Sequence, residues 1–142
     1  MQRANFEVAN RAGPIVMVDD SETDLDIARR FYEFCDLEND FVTLSSGDDL
    51  LDHLGAVERG DAPFPMLVLL DVNMPGMDGF ETLSRIRKAE AFREAPTILM
   101  LTNSDNPRDI ERAGELGANG YQPKHFELKK YVDFFNSLAP EN

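Results

Sequence analysis

Four short apolar runs, each stopping at a polar residue able to do chemistry, constrain this chain more than any other feature. Pro14-Ile15-Val16-Met17-Val18 ends in Asp19-Asp20, and Met66-Leu67-Val68-Leu69-Leu70 ends in Asp71. Thr97-Ile98-Leu99-Met100-Leu101 ends in Thr102, and a shorter run around Tyr121 ends in Lys124. The runs are apolar at nearly every position, as strands covered on both faces must be. Helical patterns separate them, which predicts βαβ units around a parallel sheet. Parallel strands present their C-terminal ends along one edge, where open α/β sheets bind ligands. Three carboxylates at one point repel one another unless a cation joins them, so the cluster predicts a hard divalent metal. A metal, a carboxylate, a hydroxyl and a lysine around one centre suit a transferred phosphoryl group.

The intervening segments read as helices. Leu25, Ala28, Phe31, Tyr32 and Cys35 share one face of a helix over Ser21–Leu37, capped by Asp20 or Ser21. Phe41–Leu44 reads as a short second strand, and Asp48–Arg59 as a helix with Leu50, Leu51, Leu54 and Val57 inward. Further helices are predicted over about Phe80–Lys88, from Pro107 to near Gly117, and over about Glu127–Leu138. Five strands and five crossing helices predict an α/β three-layer α/β/α sandwich. With right-handed crossovers and strand order 2-1-3-4-5, winding reverses between the first and third strands. Asp19, Asp20 and Asp71 then line the resulting crevice from both sides.

Composition narrows the function. With 142 residues one domain is expected: residues 1–13 as a mobile N-terminal arm, residues 14–139 as the folded unit, and no output domain. The net charge of −13, from 27 acidic against 14 basic residues, opposes binding to phosphate backbones and argues against nucleic-acid partners. No apolar stretch approaches a membrane span, and the N-terminus has no secretory core, so a cytoplasmic location is expected. The single cysteine, Cys35, reads as a small hydrophobe. His53 and His125 read as surface residues, having no partners at metal-ligand spacing.

These residues resemble the receiver domain of two-component response regulators. The matching pieces are Val18-Asp19-Asp20, the block Leu70-Asp71-Val72-Asn73-Met74-Pro75-Gly76-Met77-Asp78-Gly79, Leu101-Thr102-Asn103-Ser104, and Gly117-Ala118-Asn119-Gly120-Tyr121-Gln122-Pro123-Lys124. They stand in family order at family spacing. The segment from Leu101 to Lys124 is also similar to the single-domain branch that includes the chemotaxis regulator and phytochrome-associated regulators. The resemblance implies a flavodoxin-like fold and a phosphoacceptor at Asp71. It implies Mg²⁺ held by Asp20, Asp71 and the backbone carbonyl of Asn73, with Asp19 acting through water. Lys124 would contact a phosphoryl oxygen, Thr102 would bond the phosphoryl group, and Tyr121 would act as the switch, turning into space that Thr102 vacates. The implied partners are a sensor histidine kinase or phosphotransfer protein and an unknown protein target. A homodimer through the fourth helix, fifth strand and fifth helix is a further expectation.

Three residues depart from the family pattern. His125 follows Lys124 where the family often has a cis proline, and a cis bond before histidine costs about 3 kcal/mol. A trans bond and a reshaped loop are therefore expected. Pro123 lacks an amide hydrogen, so the fifth strand should be short or an edge. Asn103 is expected to restrict access to the phosphoryl group.

Each feature also has a plainer reading. Asp19-Asp20 can cap a helix, Asp71 can be an ordinary strand-end residue, Thr102 a strand residue, Lys124 a solvated surface lysine and Tyr121 a packing residue. On the last helix, Leu128, Val132, Phe135 and Ala139 form one stripe, and Tyr131, Phe134 and Leu138 a second. The wide arc reads either as broad core contact or as a partner surface carrying Tyr131 and Phe134. Two other functions stay open: an unphosphorylated interaction module, and a phosphohydrolase with an aspartate nucleophile. Against the second, Asn73 stands where such enzymes place a second aspartate as general acid–base.

Overall fold

The computed structural model describes residues 10–102, 106–124 and 127–138. The elements in chain order are β1 (Ile15–Val18), α1 (Glu22–Tyr32), β2 (Phe41–Leu44), α2 (Gly47–Glu58), β3 (Leu67–Asp71), α3 (Gly79–Lys88), β4 (Ile98–Thr102), α4 (Pro107–Glu115), β5 (Gly120–Pro123) and α5 (Leu128–Asn136). A single 3-10 turn, Glu90–Phe92, follows α3 and had no sequence signal. The strands form one parallel sheet in the order β2-β1-β3-β4-β5, as expected. The edge strand β5 is four residues long, and Pro123 closes it at the sheet margin, where a missing amide costs least.

Alternation along the strands builds two cores. Val16, Val18, Val68, Leu70, Ile98 and Met100 face one way and pack with Leu50 and Leu54 of α2, Leu83 and Ile86 of α3, and Ala113 of α4. Ile15, Met17, Leu67, Leu69, Leu99 and Leu101 face the other way and pack with Leu25, Ala28 and Tyr32 of α1 and Tyr131, Phe134 and Phe135 of α5. This is the period of two that a pleated strand imposes. The result is a three-layer sandwich with α1 and α5 on one face and α2, α3 and α4 on the other.

Tyr131 and Phe134 are 6% and 4% exposed, which settles the two readings of the last helix in favour of the core. Tyr131 stacks on Phe135 with ring centroids 5.4 Å apart and meets Phe31 edge-on at 5.7 Å. Leu128, 40% exposed, is the most exposed described member of the first stripe, Val132 is half-buried, and Ala139 lies outside the described residues.

The first helix is shorter than its apolar spacing predicted. It ends at Tyr32, and Phe34 and Cys35 close a turn by donating their amides to the carbonyls of Phe31 and Tyr32. The Tyr32 hydroxyl donates to the Asn39 carbonyl at 2.7 Å, and the Asn39 amide donates to the carbonyls of Arg11 and Gly13. These bonds draw the chain into β2 before another helical turn can form. Cys35 is therefore half-buried beyond the helix rather than a core residue of it, and burial raises its thiol pKa. Residues 10–13, expected within the arm, are also tied down. The Asn10 side chain donates to the Phe64 carbonyl at 2.9 Å, and Arg11 donates to the Leu138 carbonyl at 3.1 Å. Residues 1–9 lie outside the described residues.

Candidate functional site

The register of the central strands brings the acidic residues together. Val18 pairs with Leu70, so Asp19 and Asp71 leave adjacent strands at the same level. Asp71 in turn pairs with Leu101, which puts Thr102 one residue further along the same edge. The β1–β3 boundary is where winding reverses. Carboxylate oxygens of Asp19, Asp20 and Asp71 lie within 4.8 Å of one another there, with Asp19 and Asp71 buried and Asp20 exposed.

Local structure fixes each side chain. Asp19 Oδ1 accepts the Ser21 amide at 2.9 Å, and Ser21 Oγ caps α1 by accepting the Asp24 amide at 3.2 Å. The cap of α1 is therefore Ser21 and not the Asp19-Asp20 pair; Asp19 Oδ1 braces the cap residue by accepting its amide. Beyond Asp71 the chain turns through Gly76, whose φ of 74° suits glycine. It then enters α3 at Gly79, whose amide donates to the Val72 carbonyl at 2.9 Å. A Cβ at Gly79 would lie 2.2 Å from the Asp71 carbonyl oxygen, so this approach of helix to strand end requires glycine. Asn73 is exposed on that turn, and its backbone amide favours the charged form of the Asp71 carboxyl.

Lys124 is the cation of the cluster. It follows β5, and its amide donates to the Thr102 carbonyl at 3.1 Å. Its ammonium lies 2.7 Å from Asp19 Oδ2, 3.2 Å from Asp24 Oδ2 and 3.5 Å from Asp71 Oδ2. The contact with Asp24 is a directed hydrogen bond. The one with Asp19 is shorter but poorly directed, an ion pair that leaves Asp19 Oδ2 without a hydrogen-bond donor among the described residues. Lys124 is only 12% exposed, so it is not a solvated surface lysine. The reshaped loop expected at His125, and the access role expected of Asn103, lie outside the described residues.

Electrostatics follow from this crowding. Burial, then the charge of Asp19, pushes the Asp71 carboxyl up from an ordinary 3.8 to about 7, against the opposing pull of Lys124 and the Asn73 amide. Burial alone would lower Lys124, but Asp19, Asp71 and Asp24 outweigh it and hold the ammonium above its usual range.

The donor set fits a hard metal ion. It consists of carboxylate oxygens, and a buried Asp19 oxygen has no directed donor. Separations of up to 4.8 Å are close to the roughly 4 Å spanned by opposite ligands of Mg²⁺. Thr102 is buried at the same edge, 1% exposed, and Tyr121 is half-buried on β5 against the core beneath α4. The two residues that sequence reasoning missed are Asp24, which reads as an ordinary first-turn acid, and Arg87 of α3.

Arg87 lies at the opposite end of the sheet. Its guanidinium donates to the carbonyls of Gly117 (3.0 Å), Phe92 (3.1 Å) and Pro96 (2.9 Å) and to Asn119 Oδ1 (3.0 Å). Asn119 Oδ1 also accepts the Ile98 amide at 2.9 Å. The signal for Arg87 was its spacing: four residues after Leu83 and next to Ile86, it sits beside the buried stripe of α3.

The fold and site are those of a doubly wound α/β domain with three carboxylates and a lysine at its switch point. Comparison with known proteins narrows that class. The family model of the response regulator receiver domain matches residues 15–136, and the chain belongs to this family. Chemotaxis protein CheY-3 of Vibrio cholerae is 34% identical over 129 residues, covering 89% of this chain and 93% of that protein. Response regulator RPA3017, from red light signaling of R. palustris, superposes with a TM-score of 0.76 at 32% identity, covering 88% of this chain and 90% of its own. The Mn²⁺-bound form of response regulator Rcp1 superposes with a TM-score of 0.71 at 28% identity, covering 87% and 89%.

Proposed function

We propose that this protein is a stand-alone, phosphorylatable receiver in which Asp71 is the phosphoacceptor. The observation that carries the reading is the gathering of Asp19, Asp20 and Asp71 at the β1–β3 switch point, with the Lys124 ammonium against Asp19 and Asp71. An Asp71 carboxylate oxygen attacks phosphorus in a phosphohistidine of a sensor kinase or phosphotransfer protein. The P–O bond forms as the P–N bond breaks, and the imidazole leaves with the electron pair and takes up a proton. The product is an acyl phosphate on Asp71. Mg²⁺, held by Asp20, Asp71 and the Asn73 carbonyl, with Asp19 acting through water, would offset the negative charge of carboxylate and phosphoryl group alike. That response regulator Rcp1, a structural neighbour, has a Mn²⁺-bound form supports a divalent ion in this chain. Lys124 neutralises a phosphoryl oxygen, and Thr102, one residue beyond the partner of Asp71, supplies a hydroxyl from the neighbouring strand.

Output passes through protein contacts, with Tyr121 as the switch. Tyr121 borders a cavity of about 220 Å³ lined also by Ile110, Ala113 and Gly120, on the α4–β5 face where the expected homodimer would form. Residues 14–139 make up the receiver. Among the described residues no helix is long and apolar enough to cross a membrane, and we place the protein in the cytoplasm. It acts on no separate substrate.

The test is intact mass after incubation with acetyl phosphate and Mg²⁺. One added phosphoryl group that needs Mg²⁺ and is lost in Asp71→Asn is the expected result. No gain from acetyl phosphate or from phosphorylated kinases would leave the unphosphorylated interaction module as the better reading.

A further inference from the structure

Lys124 is shared among three carboxylates, and only two of them belong to the metal cluster. The third, Asp24, stands in the first turn of α1, 23% exposed, and receives the directed hydrogen bond of the ammonium. Its own amide is held by the Ser21 cap, so the carboxylate is fixed from the backbone side. Asp19 is in conflict: its Oδ2 is the oxygen nearest the ammonium, its Oδ1 already accepts the Ser21 amide, and Asp19 belongs to the set that a divalent ion would engage. A divalent ion and an ammonium compete for that carboxylate, because like charges a few ångströms apart repel strongly at low dielectric.

We infer that Asp24 is a positioning residue that holds Lys124 beside the cluster when a divalent ion takes Asp19, so that ion and lysine occupy the site together. This rests on the metal-binding part of the function proposed above and adds a residue to it. Without Asp24 the ammonium keeps, among the described residues, only Asp19 and Asp71 as anions, both of which the ion needs. It then competes with the ion instead of standing beside it. With Asp24 present the ammonium keeps a counter-ion outside the cluster and stays within reach of Asp71.

The inference separates from a general charge effect. Asp26 is an exposed carboxylate two positions further along the same helix, and removing it changes the local field without touching the Lys124 hydrogen bond. Mg²⁺ binding is measured by isothermal titration calorimetry on the metal-free protein, with no phosphodonor present. Asp24→Asn is expected to weaken Mg²⁺ binding by about threefold to tenfold, towards the lower end of the range for directly coupled neighbours. Asp26→Asn is expected to weaken it by less than about twofold, as a screened surface charge. Asp24→Glu should recover most of the affinity. In a Lys124→Met background, the Asp24→Asn effect should fall to that of Asp26→Asn.

Equal effects of Asp24→Asn and Asp26→Asn overturn the inference, as does an Asp24→Asn effect that persists undiminished without Lys124. If Lys124→Met fails to fold, the comparison of Asp24→Asn, Asp24→Glu and Asp26→Asn decides alone. Absence of Mg²⁺ binding by the unchanged protein would overturn this inference together with the metal-binding reading. Binding that is indifferent to Asp24 would overturn only this one.

Discussion

Replacing Asp71 with asparagine should make the metal-free protein more stable, although it removes the central residue of the proposed reaction. The reason is the company that Asp71 keeps. It is 2% exposed, and burial together with Asp19 moves its carboxyl from 3.8 to about 7. A folded-state value raised in this way contributes stability that is present in full below the unfolded value and is lost as pH rises through about 7. At about 1.4 kcal/mol for each pH unit between the two values, the loss reaches about 4 kcal/mol at most, and Lys124 relaxation should leave about 2 to 4 kcal/mol. The Asp71→Asn variant keeps the shape of the side chain and carries no group that ionises there, so it avoids that loss. The assay is thermal unfolding in EDTA, compared near pH 8 and near pH 5. At about 3 °C for each kcal/mol, the variant should melt about 6 to 12 °C higher near pH 8. Its advantage should shrink to less than half near pH 5, where the folded wild type keeps its proton. Saturating Mg²⁺ should reverse the order near pH 8, because the ion stabilises the wild type by mass action. An advantage absent near pH 8, or present but independent of pH, would refute the account of repelling carboxylates.

Other substitutions probe the frame around the site. Arg87→Leu removes four hydrogen bonds to neutral oxygens at once and should cost about 3 kcal/mol in urea denaturation; a cost under about 1 kcal/mol would show the guanidinium to be dispensable. Gly79→Ala drives a methyl into the Asp71 carbonyl and should cost about 2 kcal/mol while weakening Mg²⁺ binding, whereas wild-type stability and affinity would count against the close approach. Phe134→Asp buries a carboxylate in the α1–α5 core and should cost at least about 3 kcal/mol, so a folded variant with altered oligomeric state would contradict the packing.

The strands were legible because both faces of the sheet are covered, which leaves unbroken apolar runs with polar ends; their order was not written in those runs and came with the resemblance to the receiver family. The carboxylate cluster was legible for the same reason, since each acid marks a strand end. The end of α1 was not, because Phe31 and Cys35 keep helical spacing while Asn39, a residue without periodicity, draws the chain away through side-chain bonds to Arg11 and Gly13. The fate of Tyr131 and Phe134 turned on how deeply α5 settles between α1 and the sheet, which the width of an apolar stripe does not reveal. Asp24 was hidden by its own ordinariness: first-turn acids are common on helices, and its bond to Lys124 spans 100 positions in the chain.

The guanidinium of Arg87 grips the segments leading into β4 and β5, whereas Thr102, Tyr121 and Lys124 lie on or just beyond those same strands. Each strand is therefore clamped at its entry and loaded towards its exit, like a cantilever of four or five residues. Such a beam bends at its tip and does not slide. On the function proposed here, an event at Asp71 would be felt first at the strand tips and the helix faces beside them, and least at the end that Arg87 holds.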